Sequence, residues 1–371
     1  MRRVPTSFLQ PGMEVAHPVF TNDGVVLLSK GVKLTDDYIR RLVKRGIPFL
    51  YITDSISEDI YINDVISEGL RVEANKHVKD IINKTVNKNS DSIDVKRLKS
   101  IVSEIVGQLL SNRNMLYDLM DIRSVDDYLY GHSVNVCVLG VMTGVSMGYR
   151  QDRLEELAVG ALLHDVGKSK VPLYVLNKPG KLTAEEFEEI KKHPDYSLQI
   201  LRKNHGISSV SRAIAYQHHE RYNGDGYPRG VAKDDVLESA QIVGMVDVYD
   251  AISSDRVYKK ALPAFEAYEM ISGSGDHYFK YEIVKRFLSQ VAVYPSGSIV
   301  RLSTGQTGIV VENNKGYPLS PKVRIILEPD GTMLKPMRVV DLCEVLNVVI
   351  HEVLSEDETR EVLGQIKRQA G

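Results

Sequence analysis

Histidine, a side chain that often binds metal ions, is concentrated in one stretch of this sequence. Six of the ten histidines lie between positions 132 and 219: His132, His164, His193, His205, His218 and His219. Three of them adjoin a further candidate ligand, in the pairs His164-Asp165 and His218-His219. Imidazole nitrogen combined with carboxylate oxygen suits iron, manganese or zinc better than calcium or magnesium. The sequence therefore predicts a transition-metal centre.

The surroundings of the His164-Asp165 pair support this interpretation. The pair ends an apolar run, residues 157–163, that predicts a buried helix. Burial of a His and an Asp at the edge of such a helix costs free energy, because both lose contact with water. A polar partner offsets this cost, and a metal ion is such a partner. The stretch offers more ligands than one tetrahedral zinc needs. Two ions that share a carboxylate fit better, and paired ions are suited to phosphoester hydrolysis because they activate water and bind the attacking and leaving oxygens.

The hydrophobic pattern divides the 371 residues into four parts. Residues 1–54 are typical of a small α/β unit, with a helix that Thr35 is placed to cap. Residues 55–118 predict helices whose apolar faces fit a homodimer contact or a cap on the next domain equally well. Residues 119–290 predict one helix after another and contain every candidate ligand. Residues 291–371 predict a β-rich domain followed by a charged terminal helix.

Composition narrows the functional classes. A formal net charge of −2 does not favour a nucleic acid polymer as partner. The two cysteines, Cys137 and Cys343, lie far apart and outside any metal-binding spacing, which favours a reducing cytoplasm over a disulfide framework. The N-terminus lacks the apolar segment of a signal peptide, and the apolar run 134–147 is too short to span a membrane. We expect a cytoplasmic protein without a membrane partner.

Several motifs, in order along the chain, resemble the HD-GYP family of HD-domain phosphohydrolases. Residues 162–168, LLHDVGK, resemble the HD signature, and residues 218–228, HHERYNGDGYP, resemble the HHExxxGxGYP signature. Blocks within 178–194 and 247–259 match the regions between and after them. The ordered set, over about 119–275, is far more specific than an HD pair by itself. It implies a mainly α fold: an all-helical HD-type metal-dependent hydrolase bundle with a small N-terminal α/β unit and a small C-terminal β-rich domain.

The resemblance also implies a ligand set. Two divalent ions, iron or manganese, would be held by His132, His164, Asp165, His193, His218, His219 and Asp247. Asp165 would bridge the two ions. Some family members carry a Glu four residues before the first His, and it binds a third ion. Tyr128 stands at that position here, so we predict two ions.

The remaining site residues follow from the same resemblance. Asp165 and Lys168 are the predicted catalytic residues, with Lys168 beside the cleavable phosphate as electrostatic stabiliser or proton donor. Arg256 and Lys259 are predicted to hold substrate phosphates, because basic groups suit phosphate oxygens. Two further residues are assigned to the substrate side of the site. Asp250 would lie near the metal or these bases, and Tyr227 on the rim formed by the GYP loop.

The implied activity is hydrolysis of cyclic di-GMP to pGpG, GMP or both by a metal-activated hydroxide. One alternative keeps this chemistry but acts on another cyclic or linear dinucleotide. A second is a non-catalytic regulator that binds cyclic di-GMP or a GGDEF cyclase, although every matched ligand position is intact. Expected partners are cyclic di-GMP, GGDEF cyclases that contact the GYP loop, and a second copy of the chain in a homodimer.

Overall fold

A computed structural model describes residues 1–21, 25–61, 64–88, 90–118, 128–176, 178, 180–254 and 261–370. Within these ranges, the order along the chain is a small unit that contains β-strands, a helical body, and a second small unit that contains β-strands. The predicted fold class, mainly α with a small unit at each end, is therefore confirmed. None of the described helices has the length and apolar character needed to cross a bilayer.

The N-terminal unit is a small sheet with one helix. Its elements are β1 (Arg2–Pro5), β2 (Glu14–Val15), β3 (Val19–Phe20), β4 (Val26–Leu28), α1 (Asp36–Lys44) and β5 (Phe49–Thr53). Strands β1, β5 and β2 form an antiparallel sheet in that order, and β3 pairs with β4. The Thr35 hydroxyl accepts a hydrogen bond from the Tyr38 backbone N–H at 3.3 Å and so caps α1.

The helical body has a single hydrophobic core. Its helices are α2 (Glu68–Lys88), α3 (Val95–Ser111), α4 (Tyr128–Ser146), α5 (Gln151–Leu162), α6 (Leu173–Leu176), α7 (Ala184–Ile190), α8 (His193–Arg202), α9 (Ser209–Gln217), α10 (Glu238–Ser253), α11 (Ala264–Ser272) and α12 (Tyr281–Leu288). Helix α4 packs against α2, α3, α5, α10 and α12. Buried apolar residues of α2 and α3 belong to the same core as those of α4 and α5. The sequence left two roles open for α2 and α3, a homodimer contact or a cap on the next domain. Their packing against the body favours the cap.

The C-terminal unit is an antiparallel sheet covered by one helix. The strands are β6 (Ile299–Leu302), β7 (Thr307–Glu312), β8 (Lys322–Leu327), β9 (Met333–Asp341) and β10 (Ile350–Val353), and the helix is α13 (Glu356–Ala370). The strand order is β10-β6-β7-β8-β9. Ile56 and Ile60, which precede α2, are buried in the same cluster as apolar residues of this sheet and of α13. The segment between the N-terminal unit and α2 is thus part of the C-terminal unit's core.

Two glycines allow the helical body to close around the histidine-rich segments. Gly167 lies in a 3₁₀ turn, Val166–Lys170, and a Cβ there would come within 2.0 Å of the His193 carbonyl oxygen. A Cβ on Gly244 of α10 would come within 2.1 Å of the His218 carbonyl oxygen. Only a residue without a side chain permits such approaches. These contacts bring backbone against backbone where the candidate ligands meet.

Gly244→Ala should lower the free energy of unfolding by about 1–3 kcal/mol, because the added methyl group overpacks the contact with His218. Gly107→Ala is the matched control, since Gly107 is also inside a helix, α3, but has nothing within 4 Å of an added Cβ. It should gain up to about 1 kcal/mol from helix propensity. Urea denaturation of both variants measures the two effects. Equal responses at the two positions would contradict the proposed close packing.

Candidate metal centre

The fold brings the seven predicted metal ligands into one cluster. They come from α4 (His132), the turn that follows α5 (His164, Asp165), the start of α8 (His193), the residues just after α9 (His218, His219) and α10 (Asp247). Five are buried: His132, His164, Asp165, His193 and His218. His219 and Asp247 are partly exposed, so the cluster has an accessible side.

Asp165 lies between two groups of ligand atoms. Among the described residues, one group consists of Asp165, His193, His218 and His219, and the other of His132, His164 and Asp165, each with its ligand atoms within 4.8 Å of one another. Oδ1 of Asp165 is 3.3 Å from His193 Nε2 and 3.8 Å from His218 Nε2. Oδ2 is 3.3 Å from His164 Nε2 and 3.9 Å from His132 Nε2. Each carboxylate oxygen therefore faces one group, as a bridging ligand requires.

Hydrogen bonds to the backbone orient three of these imidazoles. His164, His193 and His218 each place Nδ1 against the carbonyl three positions earlier, at 2.7, 2.8 and 2.9 Å. A carbonyl only accepts, so Nδ1 carries a proton, and in the neutral ring Nε2 presents a lone pair to the cluster. A second partner of this kind commonly sets the orientation and tautomer of histidines that bind metals.

The cluster contains buried hydrogen-bond acceptors without donors, a property that favours the binding of a cation. Among the described residues, Nε2 of His164 and Oδ1 of Asp165 are buried without a hydrogen-bond partner. His164 Nε2 faces Asp165 Oδ2 at 3.3 Å, and His193 Nε2 faces Oδ1 at 3.3 Å. In the neutral rings these nitrogens are acceptors, as the carboxylate oxygens are. Leaving acceptors unsatisfied away from water is unfavourable, whereas a cation beside them would satisfy them. The donor set therefore fits divalent metal ions.

The protonation states of most of the cluster also suit a cation. Burial raises the pKa of Asp165, but the neighbouring His164 and Lys168 outweigh it and hold this pKa well below the ordinary value. Burial likewise opposes ionisation of Asp247, but its hydrogen bond with His132 keeps the pKa of Asp247 well below its usual range. Burial and the adjacent His219 lower the pKa of His218, which stays neutral. Ionised carboxylates and neutral imidazoles are the forms that bind metals.

His132 differs because two carboxylates contact its ring. Nε2 lies 3.0 Å from Asp247 Oδ1, and Nδ1 lies 2.7 Å from Asp250 Oδ2. Burial opposes the ring's charge, but these two contacts prevail and raise the pKa of His132 to about 9. In the metal-free protein the ring is therefore protonated at neutral pH. Nε2 must lose that proton before it can bind a cation.

Asp250 contacts this ligand from the side opposite the cluster. Its buried carboxylate accepts a hydrogen bond from Asn135 Nδ2 at 3.0 Å, as well as contacting His132. Asn135 lies on α4 three residues after His132 and was not among the predicted site residues. An i, i+3 spacing from a candidate ligand was the only sequence signal for it.

Two further predicted residues lie at the edge of the cluster. Lys168 is partly exposed and its Nζ donates to Asp165 Oδ2 at 2.5 Å. The Tyr227 ring stacks on the His219 ring, with 4.6 Å between centroids and 23° between planes. Arg256 and Lys259 lie outside the described residues. Tyr128 begins α4, but its side chain also lies outside what the structure describes.

Two side chains that motif reasoning did not assign to the site hold its loops. Ser197 Oγ accepts from the Gly167 N–H at 2.8 Å and donates to the His164 carbonyl at 2.9 Å, which fixes the turn around Asp165. Glu220 accepts from the backbone N–H groups of Arg229 and Val231 at 2.8 and 3.1 Å. The loop that carries Tyr227 is thereby tied to the residue after His219.

Comparison with known proteins adds family information to this geometry. Residues 116–283 match the family model described as HD domain, and residues 299–361 match the one described as KOW domain associated with HD domain. The chain is 36% identical over 251 residues to a cyclic di-GMP phosphodiesterase of Pseudomonas aeruginosa, a match that covers 68% of this chain and 60% of that protein.

Two other relatives match shorter parts of the chain. A cyclic di-GMP phosphodiesterase of Thermotoga maritima is 36% identical over 182 residues, 49% of this chain and 48% of the relative. A 3′3′-cGAMP-specific phosphodiesterase of Vibrio cholerae is 36% identical over 140 residues, 38% of this chain and 30% of the relative. The chain thus spans between about a third and three fifths of the length of these relatives.

The affinity for a divalent cation should rise with pH, because the proton on His132 competes with the cation below a pKa of about 9. Mn²⁺ affinity, measured by calorimetry between pH 6.5 and 8, should increase about tenfold per pH unit at the site that uses His132. Asp250→Asn removes one of the carboxylates that raise this pKa, so its pH dependence should be flatter. A wild-type affinity independent of pH would show that His132 is neutral in the metal-free protein.

Proposed function

We propose that this protein, whose residues 116–283 are an HD domain, is a metal-dependent phosphodiesterase that hydrolyses cyclic di-GMP to pGpG, GMP or both. The observation that carries the proposal is the position of Asp165, whose two carboxylate oxygens face two separate groups of histidines. That arrangement is suited to a pair of cations and to phosphoester hydrolysis. The substrate follows from the names of the two cyclic di-GMP phosphodiesterases that are 36% identical to this chain.

The metal ligands in this proposal are the seven clustered residues. One cation would be held by Asp165, His193, His218 and His219, and the other by His132, His164, Asp165 and Asp247. The mixture of imidazole and carboxylate donors favours iron or manganese. When bound, such a pair of cations lowers the pKa of water and offsets negative charge on phosphoryl oxygens.

Lys168 is the proposed catalytic side chain. Its ammonium group lies beside Asp165 on the partly exposed side of the cluster. There it stabilises the charge that develops on a phosphoryl oxygen, and its proton is available to the departing ribose 3′-oxygen. Asp165 would act as the bridging ligand, and it holds Lys168 through the contact between Nζ and Oδ2.

Substrate contacts come from the rim. Tyr227, stacked on His219, forms one wall beside the accessible side of the cluster. Arg256 and Lys259 are proposed to bind the phosphates, as basic side chains that pair well with phosphate oxygens. Asp250 contributes indirectly, since its carboxylate contacts the ring of the metal-ligand candidate His132 and the side chains of Asn135 and Ser254. It was predicted on the substrate side, and we now propose that it orients a metal ligand.

A second substrate candidate has specific support. The similarity to a 3′3′-cGAMP-specific phosphodiesterase shows that a relative with 36% identity bears the name of a different cyclic dinucleotide. The metal centre contacts the phosphodiester and does not discriminate between bases. A non-catalytic regulator is less favoured, because the whole candidate ligand set is present in one cluster. A GGDEF partner at the GYP loop, a homodimer and a cytoplasmic location remain part of the proposal.

Turnover of cyclic di-GMP tests the activity directly. Protein prepared without oxygen and supplied with Fe²⁺ or Mn²⁺ should yield pGpG or GMP, separated by chromatography. Asp165→Asn should abolish turnover, because it removes the charge shared by both cation sites. Parallel assays with 3′3′-cGAMP rank the two substrates. Wild-type protein that binds two cations but hydrolyses neither dinucleotide would refute the proposed activity.

Lys168→Gln should lower kcat about a hundredfold or more, the usual effect of removing one group that stabilises transition-state charge. Lys170→Gln is the matched control: Lys170 lies on the same 3₁₀ turn but its ammonium group pairs with Asp91, at 3.0 Å. Its kcat should stay within about twofold of the wild type. Similar losses in both variants would indicate that the turn, not the Lys168 charge, is what matters.

A further inference from the structure

A line of buried polar contacts leads from helix α2 to the candidate metal centre. Arg71 on α2 donates from NH1 to Asn135 Oδ1 at 2.9 Å. The amide of Asn135 donates to Asp250 Oδ1 at 3.0 Å, and Asp250 Oδ2 lies 2.7 Å from His132 Nδ1. Arg71, Asn135, Asp250 and His132 each have no more than 5% of their surface exposed. The side-chain oxygen and nitrogen of Asn135 are thus both engaged along the line.

Asp64 fixes the outer end of this line. Nε of Arg71 donates to one carboxylate oxygen of Asp64 and NH2 to the other, each at 2.8 Å. Such a two-point pair sets the plane of the guanidinium group as well as its position. Arg71 therefore presents NH1 to Asn135 in one orientation. Rotation of the guanidinium group would break contacts at both of its ends.

Stability alone is a weak reason for a buried arginine at this position. Desolvation of a buried ion pair offsets much of its attraction, and apolar residues of similar volume often stabilise a core equally well. Helix α2 already buries Leu70, Ala74 and Val78 in the core. What an apolar residue at position 71 could not do is direct the Asn135 amide. Asp64 and Arg71 also precede residue 116, where the HD domain match begins.

We propose that Arg71, held by Asp64, is a positioning residue for the metal centre. It orients Asn135, which aims Asp250 at His132 Nδ1, and the His132 ring then directs Nε2 toward the cation site it shares with His164. The inference rests on the two-cation centre proposed above. Loss of Arg71 should therefore weaken the binding of one cation only, the one held by His132. The ligands of the other cation, His193, His218 and His219, make none of the contacts that form this line.

The line begins in a segment that the C-terminal unit also holds. Ile56 and Ile60 are buried in that unit's core, and Arg324 of β8 pairs with Asp59. Asp64 lies only four residues after Ile60. The same short segment therefore carries the aspartates of two arginine–aspartate pairs. Asp59 pairs with Arg324 of the C-terminal unit, and we call this the outer pair. Asp64 pairs with Arg71, the inner pair, and the outer pair offers a control for it.

Binding of Mn²⁺ to the full-length protein, followed by electron paramagnetic resonance of the free ion, tests the proposal without measuring activity. We expect the wild type to bind two ions. Arg71→Met should bind one of them about tenfold more weakly, as is usual when a partner that orients a metal ligand is lost, and the other with unchanged affinity. Asp64→Asn should weaken the same ion by a smaller factor. Arg324→Met, the same substitution in the outer pair, should leave both affinities unchanged.

The possible outcomes separate this inference from the proposal on which it depends. A wild-type protein that does not bind two ions overturns the two-cation centre itself. Two unchanged affinities in folded Arg71→Met, or two equally weakened ones, overturn the positioning role only, since a general structural effect does not select one ion. If circular dichroism shows that Arg71→Met is unfolded, the milder Asp64→Asn variant decides by the same criterion.

Discussion

A carboxylate buried among imidazoles is the constraint on which the rest of this structure depends. Asp165 is almost fully buried, yet the neighbouring His164 and Lys168 hold its pKa well below the ordinary value. An ionised group without water requires compensating charge and hydrogen-bond donors from the protein or from a bound cation. Three neighbouring imidazoles donate from Nδ1 to backbone carbonyls, so in their neutral forms Nε2 presents a lone pair to the cluster. The cluster is arranged for cations more than for its own internal hydrogen bonding.

The backbone around the cluster follows from that requirement. Each of the three histidines lies at a helix end, where the carbonyl three positions earlier is available to Nδ1. Gly167 and Gly244 let the turn after Asp165 and helix α10 approach the backbone of neighbouring segments closely. Close approach of backbones leaves little freedom for the ligand side chains. Preorganisation of this kind reduces the conformational cost of assembling several ligands around one point.

The proposed chemistry belongs to the helical body, and the neighbouring segments pack against that body. In the function that we propose, cleavage of a phosphodiester would depend on the buried cluster and on Lys168, whereas the choice of dinucleotide would depend on residues of the rim. The helices α2 and α3 share the core of the body, and the segment before α2 shares the core of the C-terminal unit. The buried contacts of Arg71 connect that segment with His132. The parts outside the HD match are therefore structurally continuous with the metal centre.

Much of the site could be predicted from the sequence because its information is local. The pairs His164-Asp165 and His218-His219 place candidate ligands side by side, and the periodicity of residues 119–290 predicts helices. Tertiary structure alone decided which carboxylate oxygen of Asp165 faces which histidines, that Asp250 lies against His132, and that Arg71 reaches Asn135, 64 positions away. It also decided the strand order β10-β6-β7-β8-β9. Spacing along one helix or strand determines which residues share a face, but the partner of that face depends on how distant segments pack, and no local pattern encodes this.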